Sequence, residues 1–131
     1  MKKILFLLLI GGALFTASCT KRYEVVQPNV TVTAPIASSD WGTANGGLTD
    51  TVFITTNQIS SYLRDNGLVA VALTFDQGNS YEPIPFVYNN VNFSYIYGKG
   101  GIILYAQSAD GTQVIPVPAA SVAKITLIPA N

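Results

Sequence analysis

Histidine is absent from this chain of 131 residues, cysteine and tryptophan each occur once, and charged residues make up only 11% of it. Without histidine, the chain lacks the usual near-neutral acid–base group and the base of the familiar hydroxyl-nucleophile triads. A single cysteine excludes an intrachain disulfide and a multi-cysteine zinc site. The net charge is +0 and there is no basic stripe, so a nucleic-acid partner is not expected. No metal, cofactor or enzymatic activity is predicted.

The amino terminus has the layout of an export signal. Lys2 and Lys3 precede a twelve-residue apolar run over 4–15, which is shorter than the ~20 residues that a transmembrane helix needs. Phe15-Thr16-Ala17-Ser18-Cys19 resembles a bacterial lipobox, in which cleavage precedes a cysteine that carries lipid, although Thr16 stands where Leu is commoner. An ordinary signal followed by an incidental cysteine is the alternative.

The lipobox reading divides the chain into three parts. Residues 1–18 are a lipoprotein signal peptide, 19–24 a tether lipidated at Cys19, and 25–131 a single domain. The predicted location is the cell envelope, with the membrane as partner through acyl chains on Cys19. Lys21-Arg22 stand where surface-export signals favour acidic residues, so the periplasmic face of the outer membrane is favoured over the cell surface.

Short runs rich in Val, Ile, Thr and Tyr alternate with turn signals such as Asn45-Gly46-Gly47 and Asn89-Asn90. This spacing predicts an all-β fold, an antiparallel sandwich of immunoglobulin-like or jelly-roll-like type. Proline cannot donate to a β-ladder, so segments containing Pro35, Pro83 and Pro85 are expected at edges, bulges or strand ends. The predicted strands are 23–27, 29–36, 51–55, 68–75, 82–88, 91–97, 101–107, 112–117 and 122–128.

One short helix is predicted at about 57–65. Thr55 as N-cap and Gln58 three residues later form a capping-box pattern, and apolar residues follow at helical spacing from Ile59. Gly67 is expected to end the helix in the left-handed conformation.

The positions of the acidic residues are more typical of turn formation than of catalysis or metal binding. Asp40, Asp50, Asp65, Asp76 and Asp110 all stand beside turn-forming residues, where Asp favours local hydrogen bonds to the backbone. The oxygen-rich stretch 76–82 lacks the alternating acidic pattern of a calcium loop. No spacing places two carboxylates as a glycosidase needs them.

Three residues are candidates for contact or modification. Trp41 and Tyr81 lie in predicted loops and are expected to be exposed, where they could stack on a sugar or a protein partner, while the other aromatic residues fit a core. Asp50-Thr51-Val52 resembles the Asp-Ser/Thr-aliphatic acceptor of O-glycosylation in Bacteroidota, which makes Thr51 a possible glycosylation site.

Several soft motifs resemble, in their order, a recurrent domain of small Bacteroidota lipoproteins that often follows a collagen-like stretch. Together they span most of 41–129. They are Trp41, the helix entry from Ile54-Thr55 to Ile59, Gly67 before the strand to Leu73, Pro83-Ile84-Pro85-Phe86, Gly101-Ile102-Ile103, and Ile128-Pro129. The chain departs from the pattern because no Gly-X-Y repeat lies between Cys19 and Trp41. The resemblance implies a fold and a location, and no activity.

These observations favour a lipid-anchored, non-enzymatic binding or structural module of the cell envelope, with an unidentified ligand. The alternative is a surface adhesin that binds carbohydrate or protein. An enzyme of unrecognised type is the third and least favoured class.

Overall fold

The computed structural model describes residues 27–131, and within them nine strands form two antiparallel sheets. The strands are β1 (Val30–Ile36), β2 (Gly42–Ala44), β3 (Thr49–Thr55), β4 (Leu68–Thr74), β5 (Glu82–Pro83), β6 (Phe86–Tyr88), β7 (Val91–Gly98), β8 (Gly101–Ser108) and β9 (Ser121–Ile128). One α-helix, α1 (Ser61–Asn66), and two 3-10 turns, Ser38–Asp40 and Asn45–Gly47, complete the described part. The predicted antiparallel sandwich with one short helix is confirmed.

Sheet A has the strand order β1-β9-β4-β5, and sheet B the order β2-β3-β8-β7-β6. Alternation along the strands sends every second side chain to the core between the sheets. The most buried residues are therefore the inward members of the central strands, among them Val69, Leu73, Ile102, Leu104 and Ile125, all at most 1% exposed.

A hydrogen bond joins the two sheets across the core. The Tyr95 hydroxyl, on β7 of sheet B, donates to the Val69 carbonyl of sheet A at 2.6 Å. Burial raises the pKa of Tyr95, as expected for a phenol that is partly withdrawn from water.

Prolines occupy the predicted places. Pro35 lies in β1 and Pro83 in β5, the two edge strands of sheet A. The predicted strand 82–88 is divided into β5 and β6, because neither Pro83 nor Pro85 has an amide hydrogen to continue a ladder.

The predicted strand 112–117 does not form. The Asp110 carboxylate accepts hydrogen bonds from the Thr112 and Gln113 amides at 2.9 and 3.1 Å, and these bonds curl the chain. The irregular segment that follows is held to the body where the Ile115 amide donates to the Gly47 carbonyl at 3.0 Å. The predicted strand 23–27 lies outside the described residues.

The helix begins later than predicted, and Thr55 is not its cap. Thr55 stays in β3, where its backbone pairs with Gly101 of β8. Ser60 is the N-cap instead, and its hydroxyl accepts from the Leu63 amide at 3.1 Å.

Gly67 ends the helix, but not in the left-handed conformation that was predicted. Its φ is −100°, so the need for glycine is steric. A Cβ at this position would lie 2.6 Å from the Ile128 carbonyl oxygen and 2.6 Å from Leu63 Cδ1. The glycine lets the helix end approach β9 closely.

Candidate ligand-binding groove

An open groove lies where the edge strands β5 and β6 of the two sheets come together. Its volume is about 700 Å³. The segment before β9 forms one wall, the ends of β4 and β7 form the floor, and the loop after β4 forms the rim. The lining residues are Leu73, Phe75, Asp76, Ser80, Glu82, Phe86, Tyr88, Asn89, Val91, Phe93, Pro116, Val117, Pro118 and Ala119. We call this feature the edge groove.

Three phenylalanines form the apolar centre of the edge groove. Phe86 and Phe93 face each other across the β6–β7 ladder with ring centroids 4.9 Å apart and a 28° angle between the ring planes. Phe75 tilts against Phe93 at 5.6 Å. Phe93 is buried, whereas Phe75 is 44% exposed. The stack therefore begins in the core and ends at the surface.

Tyr88 extends the apolar surface to the rim and is 66% exposed. It ends β6, and the turn to β7 is made by Asn89 and Asn90, whose φ values are +48° and +62°. Two successive positive φ angles suit a two-residue hairpin, and Asn tolerates them better than most residues. The Asn90 side chain also accepts from the Asp110 amide at 3.1 Å, which fixes this turn to the following loop.

Asp76 organises the opposite rim. Its Oδ1 accepts from the Thr74 hydroxyl at 2.7 Å and from the Ser80 amide at 2.9 Å, while Oδ2 accepts from the Ser80 hydroxyl at 2.6 Å. Hydrogen bonds from Ser80, supported by Thr74, lower the pKa of Asp76 to about 2. Both carboxylate oxygens already have partners, so Asp76 shapes the loop. This confirms its predicted turn role.

Glu82 and Asn89 are the remaining acid and amide on the groove lining, and both are exposed. Asp76 and Glu82 are the two carboxylates on the lining, and both oxygens of Asp76 are engaged with Thr74 and Ser80. Within residues 27–131, no group of three or more His, Cys, Asp or Glu could hold a metal ion. The groove has the chemistry of an apolar binding surface with a thin polar rim.

The structure does not place the two predicted contact aromatics together. The prediction for Trp41 is wrong, because Trp41 is only 7% exposed and belongs to the core. It directly precedes β2, where Gly42 pairs with the outward-facing Thr51, so alternation turns Trp41 inward. Tyr81 is half-buried, and the Lys124 ammonium lies 3.6 Å from its ring centroid. That cation covers one face of the Tyr81 ring.

Thr51 lies in β3, half-buried on the outer face of sheet B, between Gly42 and Tyr105 on the neighbouring strands. Its glycosylation stays a prediction. Cys19 lies outside the described residues, and its lipidation likewise stays a prediction.

The predicted turn role of Asp50 is wrong, because Asp50 lies inside β3 and is 1% exposed. Its Oδ1 accepts from the Thr43 hydroxyl at 2.6 Å. Within the described part of the chain, three buried side-chain nitrogen or oxygen atoms have no hydrogen-bond partner: Asp50 Oδ2, Trp41 Nε1 and Ser121 Oγ. Asp50 shares the inward face of β3 with Val52 and Ile54, and this alternation in the sequence indicates burial. The turn residues that precede β3 favoured the other interpretation.

The sequence does not reveal the edge groove, because its residues come from five separate segments. The Pro-Ile-Pro-Phe run and the Asn-Asn turn marked two of them, yet neither indicates which sheet edges meet. The chain matches no known protein family, no curated protein and no solved structure. Across residues 27–131, no helix has the length and hydrophobicity of a membrane span.

Proposed function

We propose that the protein is a non-enzymatic binding module of the cell envelope, tethered by lipid at Cys19, whose edge groove takes apolar side chains of a protein partner. The observation that carries the proposal is the open groove itself, with the Phe75–Phe93–Phe86 stack running from the surface into the core.

The size and chemistry of the groove suit a small number of side chains. A volume of about 700 Å³ lies within the ~300–1,000 Å³ range of ligand pockets, which are mostly apolar with a few polar groups. Exposed aromatic surface next to a concave apolar floor is unfavourable in water, and burying it under a partner lowers the free energy. Phe75 and Tyr88 supply that exposed aromatic surface.

A peptide fits better than a sugar for one reason. Sugar recognition needs several free polar groups for the hydroxyls, whereas the oxygens of Asp76 are engaged with Ser80 and Thr74.

The alternative of a carbohydrate-binding adhesin has one observation in its favour. Tyr88 is 66% exposed beside Asn89, with Glu82 on the same lining, and an aromatic ring beside an amide and a carboxylate can hold a sugar.

The amino-terminal pattern and the resemblance of several motifs to those of small Bacteroidota lipoproteins support a location in the cell envelope. An apolar run too short to span a bilayer, separated from the only cysteine by three small residues, supports lipid attachment. Metabolic labelling with palmitate tests this directly. The wild-type chain should incorporate label and fractionate with membranes, and Cys19→Ala should do neither. An unlabelled wild-type protein would refute the anchor and leave the groove untouched.

Binding in the groove is tested with a displayed peptide library selected on the immobilised protein. Selected peptides should be rich in aromatic and aliphatic residues and should bind Tyr88→Asp at least tenfold more weakly than the wild type. Tyr62→Asp is the matched control, because Tyr62 is 61% exposed on α1, at the opposite end of the strands. Peptides insensitive to Tyr88→Asp would contradict the proposal, and oligosaccharides that compete at Tyr88 would favour the adhesin.

A further inference from the structure

The outer face of sheet B is a second surface, separate from the edge groove. It consists of the outward-facing residues of β3, β8 and β7, with the short strands β2 and β6 at its sides. A cross-strand row of Phe53, Ile103 and Ile96 crosses it, followed by a row of Thr51, Tyr105 and Ser94. Phe53 and Ile96 are 62% and 54% exposed. Large apolar side chains in one continuous row are unusual on a solvated sheet face.

No outward-facing residue of these five strands carries a charge. The outer face of sheet A differs, because Lys124 stands on its second strand and the Tyr81 ring packs on that ammonium at 3.6 Å. Charged side chains of this kind commonly prevent exposed sheet surfaces from associating with other molecules. Sheet B lacks this protection across its whole outer face.

The central aromatic ring is held flat against the sheet. A Cβ on Gly101 would lie 2.7 Å from Phe53 Cζ, so the Phe53 ring leans over the Gly101 backbone of the neighbouring strand. The ring thus fills the space that a side chain on β8 would take. Phe53, Ile103 and Ile96 are directly paired across the three strands, so the ring belongs to one continuous apolar row.

We infer that this face is the contact surface between two copies of the chain, packed outer face to outer face around a two-fold axis. A face without charge meets no like charge when it packs on itself, and it offers no electrostatic attraction to a charged partner of another kind.

The available area supports this occupant. Strands of eight residues at ~3.3 Å per residue and five strands at ~4.8 Å give a face of about 26 by 24 Å. The outermost strands have only three residues each, so the projected area is on the order of 500 Å² per copy, or about 1,000 Å² for two. That total is near the lower limit for a specific interface, and the expected dimer is reversible.

Disulfide trapping tests the dimer in the full chain, in membranes of cells that express it. Ser94→Cys places a thiol near the centre of the face, and the unaltered chain, with Cys19 as its only cysteine, gives the background. Copper–phenanthroline and oxygen remove two electrons and two protons from a pair of nearby thiols. Ser94→Cys should form a dimer band at least tenfold stronger than Thr33→Cys, the matched control on the exposed edge strand of sheet A.

Phe53→Lys in the Ser94→Cys background should reduce the trapped dimer at least tenfold, since it brings two ammonium groups together at the interface. Ile96→Lys should do the same, so a folding defect in one variant does not decide the result. Equal trapping from Ser94→Cys and Thr33→Cys would overturn the inference. So would maleimide labelling of Ser94→Cys as fast as that of Thr33→Cys, because the face would then be open to water.

Discussion

The two ends of the sandwich are built on opposite principles. At the helix end, where β4 begins and β9 finishes, Ile59 and Leu63 are 1% and 6% exposed and close the core. At the groove end, where β4 finishes, Phe75 and Tyr88 are 44% and 66% exposed around an open cleft. The same strands therefore supply a sealed end and an open end. Stability is concentrated where the packing is complete, and recognition is possible where it is left incomplete.

The first way to break this comparison is to overpack the helix end. Gly67→Val should lower the free energy of unfolding by at least about 3 kcal/mol, because the new side chain would overlap the Ile128 carbonyl and Leu63. Urea denaturation measures the loss. Gly98→Val is the control, since a Cβ there meets no atom within 4 Å and β7 accepts a β-branched residue. Equal losses in the two variants would contradict the close approach at Gly67.

Truncation at each end compares the packing directly. Ile59→Ala should cost about 3 kcal/mol, because a fully buried side chain leaves a cavity. Phe75→Ala should cost about 1 kcal/mol, because nearly half of that side chain already contacts water. Thermal unfolding of both variants alongside the wild type checks the ratio. Similar losses at the two positions would show that the groove end is as tightly packed as the helix end.

Between the two ends, the Tyr95 hydroxyl ties the sheets together. Tyr95→Phe should lower the free energy of unfolding by about 1 kcal/mol, because the Val69 carbonyl loses its partner within the core. Tyr105→Phe removes a hydroxyl from the half-exposed outer face of the next strand and should change stability by less than ~0.5 kcal/mol. Chemical denaturation of the pair distinguishes a cross-core bond from the general effect of losing a hydroxyl.

The sequence allowed the long hairpin to be predicted closely. Predicted strands 91–97 and 101–107 are observed as Val91–Gly98 and Gly101–Ser108, because alternation of apolar residues and a glycine turn act together there. Gly100, with φ +88°, supplies the positive φ expected of this turn. Strand β2 (Gly42–Ala44) went unpredicted, because three small or polar residues carry no hydrophobic pattern and pairing with β3 alone defines it.

Local rules failed where tertiary contacts competed with them. Thr55 is a good helix cap in isolation, but pairing with Gly101 keeps it in β3, and Ser60 takes over the capping role. Trp41 stands beside turn residues, yet the β2–β3 register turns it into the core. The edge groove depended on which sheet edges meet, and single-sequence periodicity carries no information on that point.

The smallest effect expected is at the rim of the groove end, where Asp76 organises its loop. The folded pKa of Asp76 is lowered to about 2 from a reference of 3.8, so its hydrogen bonds contribute stability above the unfolded pKa, and that contribution disappears as pH falls through the folded value. Unfolding midpoints in urea should therefore decline between about pH 4 and pH 2. Asp76→Asn should make that decline shallower, and its stability should differ little from that of the wild type at pH 2. An unchanged slope would mean that Ser80 and Thr74 do not hold the Asp76 carboxylate. The rim of the groove would then lack both the close packing of the helix end and the hydrogen bonds that fix its own loop.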